Sequence, residues 1–150
     1  MRRKDRMPPD DETMSIIEKG EYGILSAVSP SGDPHGTPLN YCVINGDIYF
    51  HCALEGEKLD HIANHPKVSF CVVGETEIQP EKFTTKYESG VVKGTAVEVT
   101  GEEKQMALEG LIKKYSPGFT REGLEYIRKA KGKTKVIRIV TESVTGKANR

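Results

Sequence analysis

The chain of 150 residues has no tryptophan, only three cysteines, no excess charge of either sign and no long apolar run. Each shortage removes a class of protein. Three cysteines, an odd number with no Cys-x-x-Cys, fit reduced thiols better than a disulfide framework. The 22 basic and 22 acidic residues cancel, so no overall field draws the chain to DNA, RNA or an anionic membrane. The basic runs "RRKDR" at the start and "RKAKGKTK" at Arg128 to Lys135 read as solvated faces. No basic stripe alternates with aromatics as a nucleic-acid groove requires. No stretch approaches the roughly 20 apolar residues of a membrane-spanning helix, and the N-terminus carries no apolar segment of signal-peptide type. The expectation is a soluble, cytoplasmic protein with neither a nucleic-acid nor a membrane partner.

At this length a single domain over residues 1–150 is expected, with one core that removes roughly two-thirds of the unfolded surface from water. "MPPDDETMSIIEKGEYG" predicts a short helix: two prolines precede it, Asp10 or Asp11 can cap it, Met14 and Ile17 share a face, and Gly20 stops it. The period then changes to that of strands. "YGILSAVS", "HGTPLNYCVI", "IYFHCA", "VSFCVV", "YESGVVKGTAVEV" and "KVIRIVTESV" read as extended, with turn chemistry in "PSGDP". Two helices interrupt the later strands. Thr100 and Glu103 form a capping box before Leu108, Leu111, Ile112 and Tyr115, and a stretch from Thr120 to about Lys131 places Leu124 and Ile127 on one side. Five to seven mostly hairpin-linked strands with peripheral helices give a mainly β fold, a small antiparallel barrel.

Asn45-Gly46 is the strongest hairpin signal, because a type I′ turn needs positive φ at both positions. With these as the loop, Ile44 faces Asp47, Cys42 faces Tyr49, Asn40 faces His51 and Leu39 faces Cys52. Alternation puts Leu39, Tyr41, Val43, Ile48, Phe50 and Cys52 on a core face, and Pro38, Asn40, Cys42, Tyr49 and His51 on the other. His51 and Cys52 therefore point to opposite sides of the sheet.

The segment "IYFHCALEGEKLDHIANHPKVSF" gathers three of the four histidines and one of the three cysteines, with a second, Cys71, directly after it. His61 and His65 stand i, i+4 on an expected helix and could share a metal, but a structural zinc site wants four ligands; the two are read as polar residues of a surface helix. Cys52 and Cys71 lie on apolar strands and read as core thiols, not nucleophiles. Gly56 and Lys58 sit in a turn that opens a helix, where free backbone N–H groups, the helix dipole and a lysine suit a phosphate.

Together with "GTPLNYCVINGD", "KFTTKYES", "RRKDR", "LIKKYSP" and "VTGKA", that segment resembles the nitroimidazole-resistance (Nim) branch of the pyridoxamine 5′-phosphate oxidase-like flavoproteins. The resemblance runs over nearly the whole chain. It implies an antiparallel split β-barrel that binds FMN at a homodimer interface and acts on a small-molecule substrate. Carried onto this sequence, Thr37, Pro38, Leu39 and Asn40 line the flavin ring, and Phe50 and His51 sit beside it. Gly56, Glu57 and Lys58 hold the phosphate, and Tyr87 and Ser89 supply polar contacts. His51 is the candidate catalytic residue, as a flavin contact, a substrate contact or a proton donor, and no metal is implied. Thr37 to Cys42 lacks the basic residues of the oxidase's own FMN-binding strand, and its C-terminal substrate motif has no counterpart. The resemblance therefore implies a flavin-dependent, nitroreductase-like oxidoreductase, with oxidation of pyridoxamine phosphate itself not expected. The alternative is a module of the same fold that holds flavin, haem or another small ligand without turnover. Gly90 and Lys93 depart from the branch, and a glycine within a strand marks a bulge or a close approach.

Overall fold

Asn45 and Gly46 take positive φ, 51° and 81°, the type I′ geometry whose twist matches that of paired strands. The computed structural model describes residues 1–150, and this turn joins β3 (Cys42–Ile44) to β4 (Asp47–Ala53). Ile44 faces Asp47 and Cys42 faces Tyr49, as the turn dictates.

The pairing stops there. The "HGTPLNYCVI" run breaks at Asn40-Tyr41, and its first half, β2 (Pro34–Leu39), pairs with β1 (Gly23–Val28), where Leu25 opposes Thr37. Asn40 does not face His51, and Leu39 does not face Cys52. The second neighbour of β4 is β7 (Thr134–Asn149), which sets Val136 opposite His51 and Lys135 opposite Cys52. The reason lies in the prolines. Pro34 and Pro38 cannot donate to a ladder, so β2 belongs on a sheet edge.

The strands β5 (Lys67–Gln79) and β6 (Thr84–Val99) complete a seven-stranded sheet of order β2-β1-β5-β6-β7-β4-β3, every pair antiparallel. This is the mainly β split-barrel architecture expected. A break in the β6 register at Lys93/Gly94 coincides with a close approach: a Cβ on Gly94 would stand 2.1 Å from the Val140 carbonyl oxygen.

Alternation along the β3–β4 hairpin sorts the faces as expected. Tyr41, Ile48 and Phe50 join Phe70, Val92 and Ile137 in the main core, with Leu39, Val43 and Cys52 partly buried against it. Each fully buried side chain of this kind contributes about 1.5–3 kcal/mol. The opposite face is also covered. Cys42 and Tyr49 pack with Leu108 and Leu111 of α3 (Gly101–Tyr115) and Ile127 of α4 (Thr120–Ala130) in a second apolar cluster.

Three helix details differ from the sequence reading. In α1 (Asp10–Lys19) the residue before the first turn is Pro9 with no side-chain cap, and Asp10 and Asp11 sit inside that turn, favourable to the dipole. Thr100 precedes α3, but no capping box forms. Glu103 is engaged elsewhere: its Oε2 accepts the Tyr49 hydroxyl at 2.7 Å and Arg138 Nη1 at 3.1 Å. Leu124 is 42% exposed while Ile127 is buried, because α4 turns its Gly123 side to Ile112 of α3. Gly90 marks a close approach, since a Cβ there would meet Ile17 of α1 at 2.6 Å. No helix is long and apolar enough to cross a membrane.

Candidate functional site

β2 ends one side of the sheet and β4 lies near the other, so the two share no ladder. Curling brings them face to face across the open seam of the barrel. A cavity of about 210 Å³ sits in that seam, lined by His35 and Thr37 of β2, Cys52 and Ala53 of β4, and Glu55 to Leu59.

The turn after β4 opens onto this cavity. Gly56 has φ 155° and ψ 170°, a region essentially confined to glycine, and it leads directly into α2 (Glu57–Asn64). No side chain caps α2, which leaves the first-turn N–H groups free for an anion at the positive end of the dipole. Lys58, half-buried, adds the one lysine of the lining. This donor set fits a phosphate group. Gly56, Glu57, Lys58 and Thr37 thus line one cavity.

The other expected residues are distributed differently. Leu39 is half-buried against the main core, and Pro38 and Asn40 are exposed beyond the cavity wall. Phe50 is fully buried, so its ring supports β4 from within the core and does not line the cavity. His51 lies on the opposite face of β4, at the mouth of an apolar crevice with Leu108, Leu111, Tyr126, Ile127 and Lys131. Its ring is exposed on one side, yet the protein around it lowers its pKa, chiefly through desolvation and secondarily through the positive charge of Lys58. Tyr87 and Ser89 stand on β6, opposite Asn149 and Lys147. Neither reaches the seam cavity; Tyr87 lines a separate one of about 240 Å³ with Lys86 and Arg150.

Several lining residues escape the sequence reading. Cys52 faces the core side but borders the cavity, where burial pushes its thiol pKa up against the opposing charges of Lys58 and Lys135. His35 follows from Thr37, because residues two apart on a strand share a face. His61 is a clear correction. It is only 4% exposed, not a surface residue of α2, and its ring meets the His35 ring edge-on at 5.6 Å. His65 is exposed at the end of the helix. No group of three or more His, Cys, Asp or Glu is placed to hold a metal ion.

A larger groove of about 740 Å³ runs between α1 and β5. It sets Glu12, Glu21, Glu75 and Glu88 against Lys19 and Arg150, and Arg150 is already paired with Glu12 and Glu88. Its α1 residues run to the C-terminal end of that helix at Gly20, the negative end of the dipole, whereas the seam cavity has the start of α2 in its wall and is the better candidate for a phosphate.

The fold has known counterparts. The structure matches a conserved hypothetical protein from Mycobacterium tuberculosis with a TM-score of 0.85 and 21% identity, over 100% of this chain and 91% of that one. A candidate 5-nitroimidazole antibiotic resistance protein from Bacteroides thetaiotaomicron matches with a TM-score of 0.76 and 19% identity, over 94% and 85%. The FAD and heme binding protein from Mycobacterium smegmatis gives a TM-score of 0.84 and 15% identity, over 97% and 74%. At these identities the likeness is one of fold. No curated protein matches the sequence. The family model described as pyridoxamine 5′-phosphate oxidase matches residues 9–148, nearly the whole chain, and the chain therefore belongs to the pyridoxamine 5′-phosphate oxidase family.

Proposed function

We propose that this protein is an FMN-binding, homodimeric oxidoreductase that reduces small nitroaromatic compounds of the nitroimidazole type. The observation that carries the reading is the seam cavity, which an uncapped helix start, a glycine-only turn and Lys58 line together. Lys58 and the first-turn N–H groups of α2 would hold the phosphate in charge-assisted bonds. Thr37 would stand on the opposite wall, beside the rest of the flavin. The flavin, when bound, supplies two-electron reduction, and a nitro group that takes up two electrons and two protons becomes a nitroso group and releases water. His51, on the face of β4 away from the seam cavity, is the proton carrier of this reading: an imidazole exchanges protons with solvent near neutral pH, and desolvation, with Lys58 second, lowers its pKa. Oxidation of pyridoxamine phosphate is not proposed, because family membership does not fix the substrate.

A second copy of the chain would complete the site. Val73, Ile78 and Phe83 along the β5–β6 arm are 52%, 76% and 96% exposed, an apolar strip that a partner would cover. Tyr87 and Ser89 on the same arm would then contact the flavin held by the partner. Light scattering tests this arrangement: a monomer at micromolar concentration speaks against it.

A second reading is a carrier that holds flavin or haem without turnover, and the structural likeness to an FAD and heme binding protein favours it. Reduced nicotinamide and a nitroimidazole, added anaerobically to the flavin-loaded protein, separate the two. Reoxidation of the bound flavin faster than in a substrate-free control supports the enzyme, and equal rates support the carrier.

A further inference from the structure

The seam cavity is an unusual phosphate grip in one respect: its lining sets two carboxylates, Glu55 and Glu57, against a single lysine, Lys58. Glu57 is the first residue of α2, next to the turn amides themselves. Its Oε1 lies 3.7 Å from Nε2 of His61, one turn along the helix. His61 is 4% exposed, and its Nδ1 has no hydrogen-bond partner. Of the two neutral tautomers, one places the proton on Nε2, facing Glu57, and leaves Nδ1 with an unused lone pair. The other buries an N–H donor with no acceptor, the costlier arrangement. The edge of the His35 ring, 5.6 Å away at 79°, fixes the imidazole from the β2 side.

We propose that Glu57 is a specificity residue that holds down the affinity of this cavity for a phosphate dianion, and that buried His61 positions it. The inference rests on the flavin-phosphate reading above. Glu57 acts in two ways. Its charge opposes the phosphate charge, and its carboxylate, if released, can reach the free amides at the start of its own helix and compete for them. The Nε2–H of His61 draws the carboxylate along the flank of α2, away from those amides. Glu57 therefore weakens the grip, and His61 limits how far. The ligand so selected is one that exchanges, a flavin taken up and released, in contrast to a permanently held group.

Titrations of the full chain with FMN and with riboflavin, followed by flavin fluorescence, test this. Riboflavin lacks the phosphate and serves as the internal control. Glu57→Gln should bind FMN about threefold more tightly, the scale of one exposed like-charge contact, with riboflavin unchanged. His61→Leu should weaken FMN alone, His61→Gln, which keeps an N–H donor, should restore wild-type affinity, and the Glu57→Gln/His61→Leu pair should behave as Glu57→Gln, since the cycle isolates the coupling. Unchanged or weaker FMN binding by Glu57→Gln, in a protein that still prefers FMN to riboflavin, overturns the proposal and leaves the phosphate site standing. A wild-type protein that binds FMN and riboflavin equally overturns the phosphate reading itself. Should His61→Leu fail to fold, the Glu57→Gln and His61→Gln titrations decide the matter.

Discussion

Thr37 of β2 and Lys58 of α2 line one cavity, although β2 and β4 share no hydrogen-bonded ladder. They meet because the sheet curls until its proline-bearing edge strand faces the end of β4. The seam is the place where a barrel of this kind can admit a ligand without breaking a ladder.

Lys58→Ala should weaken FMN by about 1.5–3 kcal/mol, the value of a hydrogen bond to a charged group, and leave riboflavin binding unaltered. Isothermal titration of both ligands measures the difference. Equal losses for FMN and riboflavin would show that Lys58 supports the fold or the ring, and not the phosphate.

Gly56→Ala should cost about 1–3 kcal/mol of stability through backbone strain alone, since no atom within 4 Å would obstruct the added methyl group. Urea unfolding gives the loss directly. FMN affinity should fall as well, because the turn presents the α2 amides. A variant as stable as the wild type would mean that this turn relaxes freely.

His51 should titrate below its ordinary value near 6.5, chiefly through desolvation and secondarily through Lys58. Between the folded and unfolded midpoints the unfolded chain binds more protons than the folded one. Its contribution to stability therefore rises with pH through that window and is lost as pH falls below it. Proton NMR follows the ring, and Lys58→Ala should move its midpoint upward. His51→Ala should reduce turnover more than FMN binding; the reverse result makes it a cofactor contact.

Asp47→Ala should destabilise the fold by about 2 kcal/mol, discounted for the partial exposure of its partner. Asp47 is 9% exposed; Oδ2 accepts Arg138 Nε at 2.8 Å and Oδ1 accepts the Thr141 N–H at 3.0 Å. Thermal unfolding monitors the change. A loss within error would place the strength of this corner in the Arg138–Glu103 contact.

The hairpin was legible because its cause is local: Asn45 and Gly46 adopt positive φ almost regardless of context, and the opposition of His51 to Cys52 follows from the pleat. The seam was not. Alternation in "HGTPLNYCVI" shows that the chain is extended but not which strand it joins, and Pro34 and Pro38 were the signs of an edge. His61 shows a second limit. Its i, i+4 spacing with His65 says that both lie near one face of α2, but not that only His61 meets β2. Glu103 had a good local partner in Thr100 and took distant ones, Tyr49 and Arg138, where burial and charge make the bonds stronger. The Gly56–Lys58 turn was readable as Gly-x-Lys before a helix, while its neighbours His35 and Cys52 depend on how the barrel closes.

The most direct test of the account is uptake of FMN by the purified, flavin-free protein, followed by absorbance and fluorescence. Saturable binding at micromolar concentration is expected, with one flavin per chain and a clear preference over riboflavin. Absence of flavin binding at these concentrations would contradict it.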